Sequence, residues 1–287
     1  MNRREFIETS ATATLGALAL SSFSFIDKKK IGLQLYSLRD IIGKDVKGTL
    51  EKVAKFGYQE LEAYSYKDGQ IFGMKYKEFS DLIKSLGMRL TSGHYGLGKS
   101  PAAKEIKGTI LNDWERAVND AKEAGQKFMV LAYLNADERN DYKGVCEALN
   151  KAGELCNKYK IRLNYHNHDF EFEQFEGQIA YDLMLKELDP KLVGMEMDLY
   201  WVYVAKQDPL AYFVKHPGRF EQWHVKDMDK VNPKQQVDVG TGRIDFKSIF
   251  AKADQSGLKH FYIEQEAYPV SSLDSVEKCI GNLKKII

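Results

Sequence analysis

At 287 residues the chain can form one large core or two modest domains. Hydrophobic residues make up 44% and charged residues 29%, with 22 glycines and only 6 prolines, which excludes a disordered or collagen-like chain. A formal net charge of +1 removes any broad electrostatic case for nucleic acid, which needs a basic face against its phosphates, and leaves a small, weakly charged partner as the expectation.

Residues 1–30 differ from the rest. They open on the twin arginines Arg3 and Arg4 and continue through an uncharged, small-residue-rich stretch from Ala11 to Phe25, closed by Lys28, Lys29 and Lys30. That stretch is too short for a stable membrane span but suits the apolar region of a twin-arginine export signal, which carries folded proteins out of the cytoplasm, here to the periplasm. No clean A-x-A cleavage site is evident, so whether the segment is removed is left open. The bland reading is a short N-terminal helix.

From residue 31 onward, short apolar runs alternate with longer amphipathic ones. Strand-like runs fall at 31–36, 59–63, 89–94, 127–132, 161–166, 193–198, 220–225 and 260–265. Apolar residues at helical spacing lie between them, for example Phe79, Leu82, Ile83 and Leu86. Gly57, Gly87, Gly125 and Gly257 follow such stretches, where a left-handed cap ends a helix. Eight strand–helix units over about 255 residues predict a single-domain α/β fold, a (β/α)8 TIM barrel at 31–287. An open doubly wound sheet is the alternative, but no G-x-G-x-x-G follows the first strand. Cys146 and Cys156 would lie about 15 Å apart on one helix, too far for a disulfide, and with Cys279 they read as buried apolar residues.

Chemistry in such a barrel sits where strands end, and polar residues collect there. Tyr36, Glu62 and His94 close or follow the first three strands; His166 and His168 close the fifth, Asp198 the sixth, His224 the seventh and Glu264 the eighth. His260 begins a strand and belongs at the opposite, inert face. Two imidazoles and two carboxylates from four successive strands can share one divalent ion; mixed N/O ligation suits Mn, Co, Zn or Fe, and Mg less well. The alternative is that each residue separately caps a strand or bonds a loop.

The segments IGLQLYSLRD, YHNHDFEF, MDLYW, HVKD, VGTGRIDF and YIEQEAYP, in this order, carry a resemblance. Over residues 31–287 the chain resembles the sugar isomerase/epimerase superfamily of xylose-isomerase-like barrels, and HVKD, VGTGRIDF and IEQEAYP look like its inosose dehydratase branch. The resemblance implies one metal held from strands five to eight, by His166, Asp198, His224 and Glu264. The family's strand-five ligand is usually glutamate. Its replacement by His166, or by His168 two residues on, puts a symmetrical two-glutamate proton transfer in doubt.

Other positions carry paired readings. Lys226 lies on the same strand face as His224 and either polarises a carbonyl or bridges to Asp227 or Asp229. His168 is a second base or a hydrogen-bonded loop histidine. Glu62 and His94 are expected to contact substrate hydroxyls, and Tyr36 and Trp201 to stack on a sugar ring, with core packing the alternative for Trp201. Glu171 and Glu173 are either catalytic or part of a charged loop. Gly240 and Gly242 permit a tight loop that could grip a phosphate.

These expectations combine into an exported, metal-dependent enzyme that takes a proton from a carbon beside a carbonyl of a sugar or polyol, with Glu264, Lys226 and His168 as its catalytic residues. Return of the proton elsewhere gives isomerisation or epimerisation, the leading reading; loss of a β-oxygen substituent gives a dehydratase or lyase. A sugar-binding protein without turnover is the rival from another class, and assembly into a homo-oligomer is left open. A nuclease of the related metal-barrel type would need further ligand clusters and a basic groove. Replacing Arg3 and Arg4 by lysine is expected to retain the protein inside the cell, measured by fractionation; unchanged localisation would return residues 1–30 to a short helix.

Overall fold

The computed structural model describes residues 30–287 apart from residue 102, and the segment expected to be an export signal, except Lys30, lies outside the described residues. Eight parallel strands close into one barrel: β1 (Ile31–Gln34), β2 (Glu60–Ala63), β3 (Arg89–Tyr95), β4 (Phe128–Leu131), β5 (Arg162–His166), β6 (Val193–Asp198), β7 (Phe220–Val225) and β8 (His260–Ile263). β1 pairs with both β2 and β8, which closes the ring. Each strand matches its predicted run. β1 is shorter because Gln34 turns its side chain onto the backbone N–H of Tyr36, starting a 3-10 turn over Leu35–Leu38.

Helices α1 (Val46–Phe56), α2 (Tyr76–Ser85), α3 (Trp114–Glu123), α4 (Tyr142–Lys158) and α5 (Ala180–Glu187) cover the first five crossovers. The pairs α6 (Leu199–Val204) with α7 (Pro209–Lys215), and α8 (Phe246–Phe250) with α9 (Ala253–Ser256), cover the next two, and α10 (Ser272–Ile286) follows β8. Gly57 and Gly257 cap α1 and α9 in the left-handed region, as expected of glycine there. Cys146, Cys156 and Cys279 are buried and free, the first two on α4. Three two-stranded hairpins, Gln70–Ile71 with Met74–Lys75, Gln174–Phe175 with Gln178–Ile179, and Asp227–Met228 with Gln236–Val237, build up the mouth after β2, β5 and β7.

Side chains alternate across each strand, so every second residue enters the barrel. The lower interior is filled by polar residues bonded to one another, with Asn164 Oδ1 left without a partner. Asn164 Nδ2 donates to Gln222 Oε1 at 2.6 Å, Gln222 Nε2 donates to Ser92 Oγ at 3.0 Å, and Thr91 pairs with the Tyr262 hydroxyl at 2.8 Å. His260 bonds Glu60 at 2.6 Å at the start of β8, as expected of the inert end. Asn164, Gln222 and Ser92 have no exposed surface, so this layer is a floor.

Tyr262 fits in that floor because β1 carries no side chain beside it. A Cβ on Gly32 would lie 2.4 Å from Tyr262 Cδ1 and 2.7 Å from the Phe261 carbonyl oxygen. Gly32→Ala is therefore expected to destabilise the barrel by about 1–3 kcal/mol through overpacking, read as a lower denaturant midpoint at unchanged m-value.

Candidate active site

Above the floor stands a tier of acids and imidazoles, buried except for His94, which is partly exposed at the cavity edge. Glu62 reaches in from β2, His94 from β3, His166 from β5, Glu196 from β6 and His224 from β7. Glu62 Oε2 accepts from Gln34 Nε2 at 2.7 Å and lies 2.6 Å from His224 Nε2 and 3.1 Å from His94 Nε2. Glu196 Oε2 lies 3.0 Å from His94 Nε2, 3.0 Å from His166 Nδ1 and 3.3 Å from His224 Nε2.

The charges in this tier set each other. Burial works against a charge on His94, but Glu62 and Glu196 override it and hold the imidazole at about 9. Burial would also raise Glu62, yet His94 and His224 hold it well below the usual carboxylate range. Glu196 is pushed up to about 7, first by burial and then by the charge on Glu62. Burial and the neighbouring His224 keep His166 well below its ordinary value, so its ring is neutral.

One strand step higher is a second group. Asp198 and Glu264 bring one oxygen each to His224 Nδ1, at 3.9 and 2.8 Å, and the Lys226 ammonium sits against the same two oxygens at 3.0 and 2.7 Å. Lys226 also pairs with Glu266. Asp198 caps α6 through its other oxygen, accepting from Trp201 N at 3.1 Å, which fixes the carboxylate's orientation. Burial alone would discharge Lys226, but Asp198, Glu264 and Glu266 raise it well above its ordinary value. Lys226 and His224 in turn outweigh burial and hold Glu264 well below the carboxylate range.

These groups open onto a cavity of about 950 Å³, lined among others by Tyr36, His94, His166, His168, Lys226 and Glu264. Trp201 joins the wall with its ring centroid 5.6 Å from Lys226 Nζ. His168 stacks on Phe170 at 5.4 Å, and its Nδ1 is buried without a protein partner. Burial and then Lys226 push His168 down to about 3, so it is neutral as well.

Tyr36, His94, His168, Trp201, Lys226 and Glu264 line the cavity, whereas Glu62 is fully buried beneath it, bonded to His94 and His224. His166 spans both tiers, with Nδ1 on Glu196 and Nε2 3.8 Å from Asp198 Oδ2. Asp227 and Asp229 are not the partners of Lys226, because the carboxylates that meet it come from β6 and the end of β8. Glu171 is buried, accepting from the Tyr165 hydroxyl at 2.6 Å and from His168 N at 2.8 Å, so it positions the His168 loop. The phosphate-grip reading of Gly240 and Gly242 is overturned. Both amides donate to Asp227 Oδ2 at 2.9 Å, while Met228 and Ile244 N–H groups take Oδ1, so the chain's own carboxylate fills the nest.

Glu196, Gln34 and Glu266 were assigned no role from the sequence. Glu196 and Glu266 lie two residues from Asp198 and Glu264, and period-two spacing from a recognised residue was the signal available for them.

A model of the xylose isomerase-like TIM barrel family matches residues 50–285. A sugar phosphate isomerase/epimerase from Parabacteroides distasonis, known from its crystal structure, is 29% identical with a TM-score of 0.77, the match covering 90% of this chain and 98% of that one. An inosose dehydratase from Halalkalibacterium halodurans is 29% identical over 89 residues, 31% of this chain and 29% of the relative. One from Lactiplantibacillus plantarum is 24% identical over 153 residues, 48% and 50% of the two chains. The chain thus spans half or less of the length of these two curated relatives.

Asp227→Ala would leave four loop N–H groups without their acceptor. It is expected to lower stability by about 2 kcal/mol or more and to speed hydrogen exchange at Gly240, Gly242 and Ile244; unchanged exchange there would mean the loop is held by other contacts.

Proposed function

The chain belongs to the xylose isomerase-like TIM barrel family, and we propose that it acts on a keto-sugar or keto-polyol, removing a proton beside the carbonyl with the help of one divalent metal. The observation that carries this reading is the meeting of Asp198, His224 and Glu264 against Lys226 at the base of the cavity. Donor atoms of Asp198, His224 and Glu264 lie within 4.8 Å of one another, which fits a divalent ion, and His166 Nε2 stands beside them. A bound ion would supply Lewis-acid polarisation of the substrate carbonyl.

The protein groups would then divide the proton chemistry. Glu264, kept ionised by Lys226 and His224, accepts the proton from carbon. A carboxylate held so low is a weak base, so the reaction depends on making the carbon acid stronger. Lys226 serves that end by donating to the carbonyl oxygen as negative charge gathers there. Tyr36 and Trp201 present flat faces on which the sugar ring can rest.

Elimination is the favoured outcome. The β5 position holds His166, a neutral imidazole, where the family resemblance places a second glutamate, so Glu264 alone remains of that family's acid–base pair of glutamates. That base can take the proton from carbon and hand it to the departing β-oxygen, leaving an α,β-unsaturated ketone and water or an alcohol. The inosose dehydratases among its relatives support this reading. Isomerisation or epimerisation is the second reading, favoured by the match along nearly the full length of the Parabacteroides distasonis protein and by His168, a neutral imidazole in the cavity wall that could return the proton. The twin-arginine opening supports placing this activity outside the cytoplasm.

Keto-sugars incubated with the metal-loaded protein in deuterated water are expected to exchange or lose the proton beside the carbonyl, followed by NMR. Glu264→Gln is expected to abolish this, and Lys226→Met to slow turnover by about 10²-fold or more. Normal turnover by Lys226→Met would reduce the lysine to a structural counter-ion. Absence of exchange across a broad panel, with sugar binding intact, would make the protein a binder.

A further inference from the structure

Glu62 and Glu196 take no part in the proton transfer above, yet both are fully enclosed. Among the described residues neither lies within ion-pair distance of a lysine or an arginine; their ionic partners are imidazoles. Buried carboxylates are ordinarily paired with cations or bound to metals.

Hydrogen bonding accounts poorly for their arrangement. A carboxylate offers two oxygens and about four lone-pair sites. Three imidazole nitrogens nevertheless crowd onto Glu196 Oε2, at 3.0, 3.0 and 3.3 Å, while Glu196 Oε1 is buried without a partner. Glu62 repeats the pattern, with His94, His224 and Gln34 all on Oε2 and Oε1 left bare.

We propose that this point of convergence is a second cation site, deeper in the barrel than the Asp198, His224 and Glu264 group. It would hold a divalent ion through His94 Nε2, His166 Nδ1, Glu196 and His224 Nε2, with the Glu62 carboxylate beside it. The four ligand residues each bring one donor atom within 4.8 Å of the others. Metal–ligand bonds of about 2.0–2.2 Å in a tetrahedron set neighbouring donors about 3.3 Å apart, and the imidazole nitrogens stand 3.0–3.3 Å from Glu196 Oε2. Three imidazoles and a carboxylate are a donor set for zinc or a similar transition ion and a poor one for magnesium.

His224 joins the two sites. Its Nε2 faces Glu196 at 3.3 Å and its Nδ1 faces Glu264 at 2.8 Å, so one ring has a nitrogen for each ion. Glu196 belongs to the deep site alone and Asp198 to the upper site alone. The deep site can therefore fail without the proposed chemistry, and the chemistry without the deep site.

The test is the metal content of the full chain, stripped with chelator, reloaded with zinc alone and measured by elemental analysis. Two ions per chain are expected, falling to one in Glu196→Gln and to one in Asp198→Asn. One ion in the wild type that survives Glu196→Gln but not Asp198→Asn would overturn the deep site. One ion lost in Glu196→Gln but kept in Asp198→Asn would uphold the deep site and remove the upper one. Should Glu196→Gln fail to fold, His94→Gln gives the same count from the edge of the cavity. Anomalous diffraction from zinc-loaded wild-type crystals must then show a peak between His94, His166 and Glu196; a peak at Asp198 and Glu264 alone overturns the proposal.

Discussion

The interior of the barrel is governed by a shortage of positive charge. Glu62, Glu196, Asp198 and Glu264 are all buried, Glu266 joins them at the rim, and among the described residues Lys226 is the one ammonium paired with this group. Carboxylates removed from water must find compensation, because an isolated buried charge is far costlier than the net stability of a domain. The upper carboxylates find it in Lys226, and the lower ones in imidazoles. A divalent ion replaces protons in the same balance, so metal affinity and charge compensation are two sides of one constraint.

β7 carries most of that balance. Its inward residues Gln222 and His224, with Lys226 just beyond its end, serve in turn the floor, both acid tiers and the cavity wall. Period-two alternation places all three in line within about two strand steps. A slip of one residue in this strand would turn every one of them outward, so the register of β7 is constrained by electrostatics as well as by packing.

The barrel was legible because its signals are local and repeated eight times over: a short apolar run, a helical stretch, often a glycine between them. Asp198, His224 and Glu264 were legible because they end strands. Glu196 was harder to find because it lies inside β6, where EMD reads as a strand finishing in one aspartate. Nothing local reveals that three histidines from other strands meet it. The partners of Lys226 were misplaced for a related reason. Asp227 and Asp229 are near in sequence, but an immediate neighbour on an extended chain points the other way, and the true partners arrive from adjacent strands. Asp227 is instead spent on the loop amides, so the glycines of VGTGRIDF answer to a side chain of their own loop.

The floor of Asn164, Gln222, Ser92 and Tyr262 makes the barrel a vessel with one opening. On the proposed chemistry, a substrate seated against Lys226 and Glu264 would become its stopper. A proton lifted from carbon would then have no bulk water to join while the stopper stayed in place. It would be returned to the molecule it came from, or wait for that molecule to leave. The label carried by a recovered substrate would therefore report how long the mouth stays shut as much as how fast the carbon is deprotonated.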